Sequence, residues 1–169
     1  EHLRKVFLSN IKHALDDHLS DTGKVLKLDF VYGSEERGKL HPLDGQQRLT
    51  TLWLLHWYIA LRVGLLEEVC GTLKKFTYET RISSREFCEN LCQCKNFEEY
   101  KDEEHIVDFI TNRTWFYSSW EQDPTIQSIL NMLGGTKVTN KQDKNIIDSI
   151  EKLFQNTDKE NLRKYWNCL

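Results

Sequence analysis

Between Leu49 and Leu61 the chain is almost continuously apolar, interrupted only by Thr50, Thr51 and His56. A helix that is hydrophobic nearly all round has to be buried on most sides. The run is too short and too broken to span a membrane, which takes ~20 apolar residues. It therefore predicts the central helix of a core. Directly ahead of it stand Asp44, Gly45, Gln46, Gln47 and Arg48, all polar or flexible. A helix presents unpaired N–H groups and the positive end of its dipole at that position. A polar loop at the tip of a buried rod suits an anion.

The chain has 169 residues, enough for one domain with a substantial core. Aromatic residues make up 11%, with five Trp, which argues against a disordered chain. The net charge of -3 gives no global attraction to nucleic acid, so any DNA contact needs a local patch or another domain. Five Cys without a regular framework, and no secretory leader, point to a reducing, cytoplasmic setting. The sequence opens at Glu1 and ends at Leu169 within a helical pattern, so a piece of a longer protein is expected.

Leu3, Phe7, Ile11, Ala14, Leu15 and Leu19 recur at helical spacing, and Asp21-Thr22-Gly23 stops that helix. Val25, Leu26, Leu28, Phe30, Val31 and Tyr32 predict a strand. Gly33 to Gly38 reads as a polar turn, and Lys39 to Leu43 as a return strand in which Pro42 favours an edge. Strand, glycine loop and helix form wiring that points backbone amides at a phosphate. After Gly64 the chain becomes helical. Leu65 to Leu73 predicts one helix, broken by Gly71. Ser83 with Glu86 forms a capping box, and so does Thr157 with Glu160. Residues 95–104 are acidic and read as solvated surface. Ile106 to Phe116 reads as helix. Asp123-Pro124 opens another, carrying Ile126, Ile129, Leu130 and Leu133, which Gly134-Gly135 closes. Thr136 to Lys144 reads as loop, and Ile146, Ile147, Ile150, Leu153 and Phe154 as an amphipathic helix.

Each residue of the polar loop has a chemical reason to be there. Gly45 permits a tight turn and close approach of a ligand. Arg48 carries a planar fork of donors suited to phosphate oxygens. Gln46 and Gln47 can donate through their amides or orient a water. Asp44 can cap the helix, hold Arg48, or help carry a divalent metal bridged to phosphates. Thr50 and Thr51 supply hydroxyls in the first turn. The same residues also admit a plain reading: Asp44 as N-cap, Gly45 as turn residue, Arg48 as a surface ion pair. Residue types alone leave both open.

The run L-D-G-Q-Q-R-L-T-T-L resembles the signature of the GmrSD-type restriction endonuclease family, in its N-terminal domain. That domain is related to the ParB and sulfiredoxin nucleotide-binding fold, whose Gly-x-x-Arg element Gly45-Gln46-Gln47-Arg48 fits. The segments Phe76 to Phe87 and Trp115 to Leu130 look like family segments too. The resemblance implies an α+β fold: a small hairpin sheet of a ParB/sulfiredoxin-like core, with a larger helical part. It divides the chain into a partial nucleotide-binding core, residues 1–64, and a helical region, residues 65–169. It implies a module that binds and hydrolyses a nucleoside triphosphate with a divalent metal, magnesium, in bacterial, cytoplasmic defence against phage or modified DNA. Asp44, Gln46, Gln47 and Arg48 would be catalytic, and Asp44 would hold the metal. Gly45, Gln46, Gln47, Arg48, Thr50 and Thr51 would bind the nucleotide. DNA cleavage would fall to an HNH nuclease domain elsewhere in the protein or in a partner subunit, and no membrane is involved. The family's Tyr-Gln-Arg motif ahead of the first helix is absent here, so this piece alone is expected to bind poorly.

The alternative is a non-enzymatic module that uses the same loop for DNA phosphate or a partner carboxylate. Arg81 and Arg85, with Lys74 and Lys75 nearby, offer a basic face for it, though they read more readily as a solvated face. Cys88, Cys92 and Cys94, with His105, do not match a usual zinc ladder and read as semi-buried thiols. Trp115, Tyr117 and Trp120 could stack bases but read as core, and His56 reads as a hydrogen-bonded core histidine.

Overall fold

The computed structural model describes residues 2–20, 26–28, 30–93, 105–134 and 149–169, with side chains described from Val6 onward. Among these are eight α-helices and one two-stranded antiparallel sheet, an α+β arrangement that is mostly helical. In chain order they are α1 (His2–Leu19), β1 (Tyr32–Glu36), β2 (Lys39–Asp44), α2 (Gln46–Val63) and α3 (Leu66–Leu73). There follow α4 (Ile82–Gln93), α5 (Ile106–Thr111), a 3-10 turn (Ser118–Gln122), α6 (Pro124–Gly134), α7 (Ile150–Phe154) and α8 (Lys159–Cys168). The stops predicted at Asp21-Thr22-Gly23 and Gly135, the acidic stretch 95–104, the loop 136–144, and Ile146 and Ile147 lie outside the described residues.

The apolar run forms α2, and Leu54, Leu55, Trp57, Tyr58, Ile59 and Ala60 are completely buried. Burial on every side creates a polar problem, because an indole N–H without an acceptor costs about 1–3 kcal/mol. Both tryptophans solve it on neighbouring helices. Trp53 Nε1 donates to the carbonyl of Leu73 at 2.9 Å, and Trp57 Nε1 to that of Leu91 at 2.8 Å. Both acceptors lie in the last turns of α3 and α4; the Leu73 carbonyl also accepts the N–H of Phe76 at 3.1 Å. Gly64 ends α2 at φ 80°, and the N–H of Leu65 reaches back to Ala60 O at 2.9 Å. α1 contributes Leu8, Ile11 and Leu15 to the same core, α6 contributes Ile126, Ile129 and Leu133, and α8 contributes Leu162 and Tyr165.

Several local expectations are corrected by longer-range partners. The strand expected over 25–32 is instead β1 at Tyr32–Glu36, within the segment read as a turn. Arg37 (φ 53°) and Gly38 (φ 74°) form the reversal, and this two-residue primed turn sets the pairing of Glu36 with Lys39. α4 begins at Ile82, and the Ser83 hydroxyl donates to Asp123 Oδ2 rather than capping its own helix. Asp158, not Thr157, caps α8, accepting from the N–H of Asn161 at 2.8 Å. α5 stops at Thr111, because the chain turns there to pack Trp115 and Phe116 with Phe87 and Trp120. Gly71 stays inside α3 without breaking it. Asp123 does open α6 as expected, its Oδ1 accepting from the N–H groups of Thr125 and Ile126.

Two acidic side chains hold helices together. Glu151 is buried, and its Oε1 accepts from the N–H of Ile106 at 2.7 Å, capping α5 from α7. Replacing Glu151 by Ala is expected to lower stability by about 1–3 kcal/mol, since the Ile106 N–H is left unpaired; a urea titration checks this. On α1, Asp16 receives Lys12 Nζ and the Tyr165 hydroxyl. Burial pushes the Asp16 carboxyl up, but these hydrogen bonds outweigh it and hold the group below its ordinary value. Burial and the bond to Asp16 push the Tyr165 phenol up. The Asp16 contribution to stability is thus complete above ~3.9, the unfolded value, and lost as pH falls below it. The Tyr165 contribution is complete below ~10 and lost as pH rises beyond it. Tyr165→Phe is expected to flatten the alkaline limb of urea midpoint against pH and to shrink the acid limb.

Candidate functional site at the start of the central helix

Gly45 joins β2 to α2 with φ 81°, a left-handed conformation that glycine adopts without strain. No side chain caps α2, and its first intrahelical bond runs from Leu49 N–H to Gly45 O at 3.0 Å. The N–H groups of Gln46, Gln47 and Arg48 precede that bond. Gln46 and Gln47 are exposed, while Gly45 is buried. Gln46 folds back, and its Nε2 donates to Pro42 O at 2.8 Å.

Arg48 is the most constrained member. Its Nη2 donates to the Phe30 carbonyl at 2.8 Å and lies 3.5 Å from Asp44 Oδ2. The Arg48 side chain is 25% exposed and that of Asp44 78%. Phe30 and Val31 thus cross directly over the loop: a Cβ on Gly45 would lie 3.1 Å from Val31 Cγ2 and 3.5 Å from Arg48 Nη2.

Thr50 and Thr51 are placed differently from the other loop residues. Both are buried, and their hydroxyls donate back to the carbonyls of Gln46 and Gln47 at 3.0 and 2.8 Å. They fix the first turn of the helix rather than face its tip. Thr50 also meets the Tyr78 hydroxyl at 3.3 Å. Burial pushes the Tyr78 phenol up, and Thr50 and Arg81 partly offset that rise. One residue on, Glu79 lies 3.5 Å from His41 Nδ1 of β2. The segment after α3 therefore flanks the site, and sequence reasoning left it unassigned. Its one signal was its place in the aromatic and charged run Phe76 to Phe87.

Arg81 is exposed and donates to the Thr125 hydroxyl, while Arg85 is half-buried one turn into α4. Burial pushes the Asp123 carboxyl up, but bonds from Ser83, Ile126 and Thr125, with Arg81 nearby, hold it low. Arg81 thus belongs to a junction of α4 with α6, and it also lies near Tyr78, which meets Thr50 of the loop. Cys88 and Cys92 are buried; burial pushes the Cys92 thiol up to about 12 and Cys88 higher still. Cys94 lies outside the described residues, and among those described no group of three or more His, Cys, Asp or Glu is disposed to hold a metal. Trp120 is buried and Tyr117 exposed against its edge. His56 Nδ1 pairs with Leu52 O at 2.7 Å.

The fold and loop define a mostly helical domain that presents an arginine and open amides at the tip of its central helix. A family model described as GmrSD restriction endonuclease, N-terminal domain, matches residues 25–165. The chain belongs to that family and is part of a DNA-targeting restriction system. Comparison with curated proteins and with solved structures finds no match. Among the described residues no helix is long and apolar enough to cross a membrane.

Gly45→Ala is expected to destabilise the fold by about 1–2 kcal/mol, the cost of a Cβ in the left-handed region. A urea titration beside far-UV circular dichroism checks this.

Proposed function

We propose that this domain is the nucleoside-triphosphate-binding and hydrolysing regulatory module of a GmrSD-like, modification-dependent restriction system, without a nuclease centre of its own. The observation that carries the reading is the meeting of three features at one point. These are an uncapped helix start, a left-handed glycine and an arginine whose guanidinium lies over that glycine. In this reading residues 1–64 are a partial ParB/sulfiredoxin-like core and residues 65–169 a helical region supporting it. DNA recognition and an HNH nuclease belong to the rest of the system.

The donor set suits a triphosphate. The N–H groups of Gly45, Gln46 and Gln47 and the Arg48 fork would hold phosphate oxygens. The exposed Asp44 carboxylate would hold magnesium against them, with Gln46 or Gln47 orienting a water. When bound, magnesium supplies charge neutralisation across the phosphates. Thr50 and Thr51 keep the helix start in register. A charge-assisted hydrogen bond is worth ~1.5–3 kcal/mol and the helix dipole ~0.3–1 kcal/mol, so Arg48 dominates.

A second reading is favoured by the bond from Arg48 to Phe30 and its approach to Asp44: the arginine only braces the loop. Calorimetry on the intact protein with each ribonucleoside triphosphate and magnesium separates the two. Arg48→Ala is expected to weaken binding roughly 10- to 100-fold with the circular dichroism unchanged. Lost stability with unchanged nucleotide affinity would refute the nucleotide reading. Binding of DNA alone, falling steeply with salt and indifferent to nucleotide, would make the loop a DNA contact instead.

A further inference from the structure

The hydroxyl of Tyr78 lies 3.3 Å from that of Thr50 in the first turn of α2. Thr50 has one hydroxyl hydrogen, and it goes to the Gln46 carbonyl at 3.0 Å. The phenol is therefore the donor to Thr50, and the two bonds run in one direction, from Tyr78 through Thr50 to Gln46. Burial pushes the Tyr78 phenol up, so it keeps its hydrogen at neutral pH. The path ends at the tip of the helix. The Gln46 carbonyl and the Gln47 N–H are two ends of one planar amide. That N–H stands ahead of the first intrahelical bond, from Leu49 to Gly45, and on an exposed residue. A hydrogen bond accepted by an amide oxygen draws electrons from the nitrogen and fixes the amide plane, and bonds in a chain polarise one another.

Tyr78 is itself held by α2. Its ring meets Phe76 edge-on with centroids 5.6 Å apart, and Phe76 stacks on Trp53 at 5.3 Å. The N–H of Phe76 donates to Leu73 O, the carbonyl that accepts the Trp53 indole. Thr50 and Trp53 are three residues apart and share a side of α2. The segment from Phe76 to Tyr78 is thus docked on the start of that helix at both residues. We propose, on the nucleotide reading of this site, that Tyr78 is a positioning residue: through Thr50 and the Gln46 carbonyl it orients and polarises the Gln47 N–H toward a phosphate.

Calorimetry on the intact protein with inorganic tripolyphosphate and with each ribonucleoside triphosphate, in magnesium, tests this. Tyr78→Phe keeps the ring on Phe76 and loses only the hydroxyl. It is expected to weaken both kinds of ligand equally, roughly 2- to 10-fold. In a Thr50→Val background the same substitution should change affinity no further, because the path is already cut. A phenol that only braced the fold would lower the urea midpoint and leave affinity as it was. The Gln47 amide gives a readout that needs no ligand. Its proton resonance is expected to move upfield in Tyr78→Phe and in Thr50→Val, with no added shift when the two are combined. Affinity that falls in Arg48→Ala but not in Tyr78→Phe, or that falls equally in both Thr50 backgrounds, would overturn the role of Tyr78 and leave the nucleotide reading standing. Absent triphosphate binding, or binding indifferent to Arg48→Ala, would overturn the nucleotide reading and with it the phosphate as the target. An unmoved Gln47 resonance in Tyr78→Phe would overturn the positioning in either case.

Discussion

The structure depends on a helix whose middle, from Trp53 to Leu61, is buried on almost every side. Once Trp53 and Trp57 are inside, their indole N–H groups must find acceptors or each costs about 1–3 kcal/mol. They find them in the carbonyls of Leu73 and Leu91, in the last turns of α3 and α4. Each bond satisfies a donor on α2 and an acceptor at the end of α3 or α4. Each also fixes how far along α2 the neighbour sits, since sliding by one residue would break it. Thr50 and Thr51 meet the same demand within the helix by returning their hydroxyls to Gln46 and Gln47. The first turn of α2 is thereby anchored on its buried side, and no side chain caps its start. This is the condition a ligand-holding helix start has to meet.

Much of this was legible in the sequence because it rests on short-range rules. The all-round apolar run and the polar loop need only periodicity and residue type to be read. What escaped reading was decided by partners distant in the chain. Ser83 and Glu86 spell a capping box, yet Ser83 bonds Asp123, forty residues away. The run from Val25 to Tyr32 has strong strand composition. The register nonetheless follows the turn at Arg37-Gly38, where an arginine takes the left-handed position that asparagine or aspartate usually holds.

The site divides in the same way. Asp44, Gly45 and Arg48 could be picked out because their side chains, or the lack of one, carry the chemistry. The Phe30 carbonyl could not, because a backbone acceptor leaves no mark in a sequence. Tyr78 was hidden for a related reason: it reaches Thr50 from 28 residues downstream, by way of α3. The loop read as a free anion cradle carries a strap across it, held by the residue expected to bind the anion.

Whether that contact forbids ligand binding is a question of magnitude. The Arg48–Asp44 pair is separated by 3.5 Å and its acid is 78% exposed. Pairs of that kind are worth ~0–1 kcal/mol. A charge-assisted bond to phosphate is worth ~1.5–3 kcal/mol, so an anion outcompetes the carboxylate for the same guanidinium. The Phe30 carbonyl need not be displaced, because it occupies one of several N–H donors on a rigid fork. Holding Phe30 with one arm keeps the fork over Gly45 and removes much of the rotamer freedom that a loose arginine would lose on binding. On the proposed reading bracing and binding would act in series: the carbonyl aims the arginine, and Asp44, once displaced from it, would stand exposed beside the phosphates, where it could hold a divalent cation.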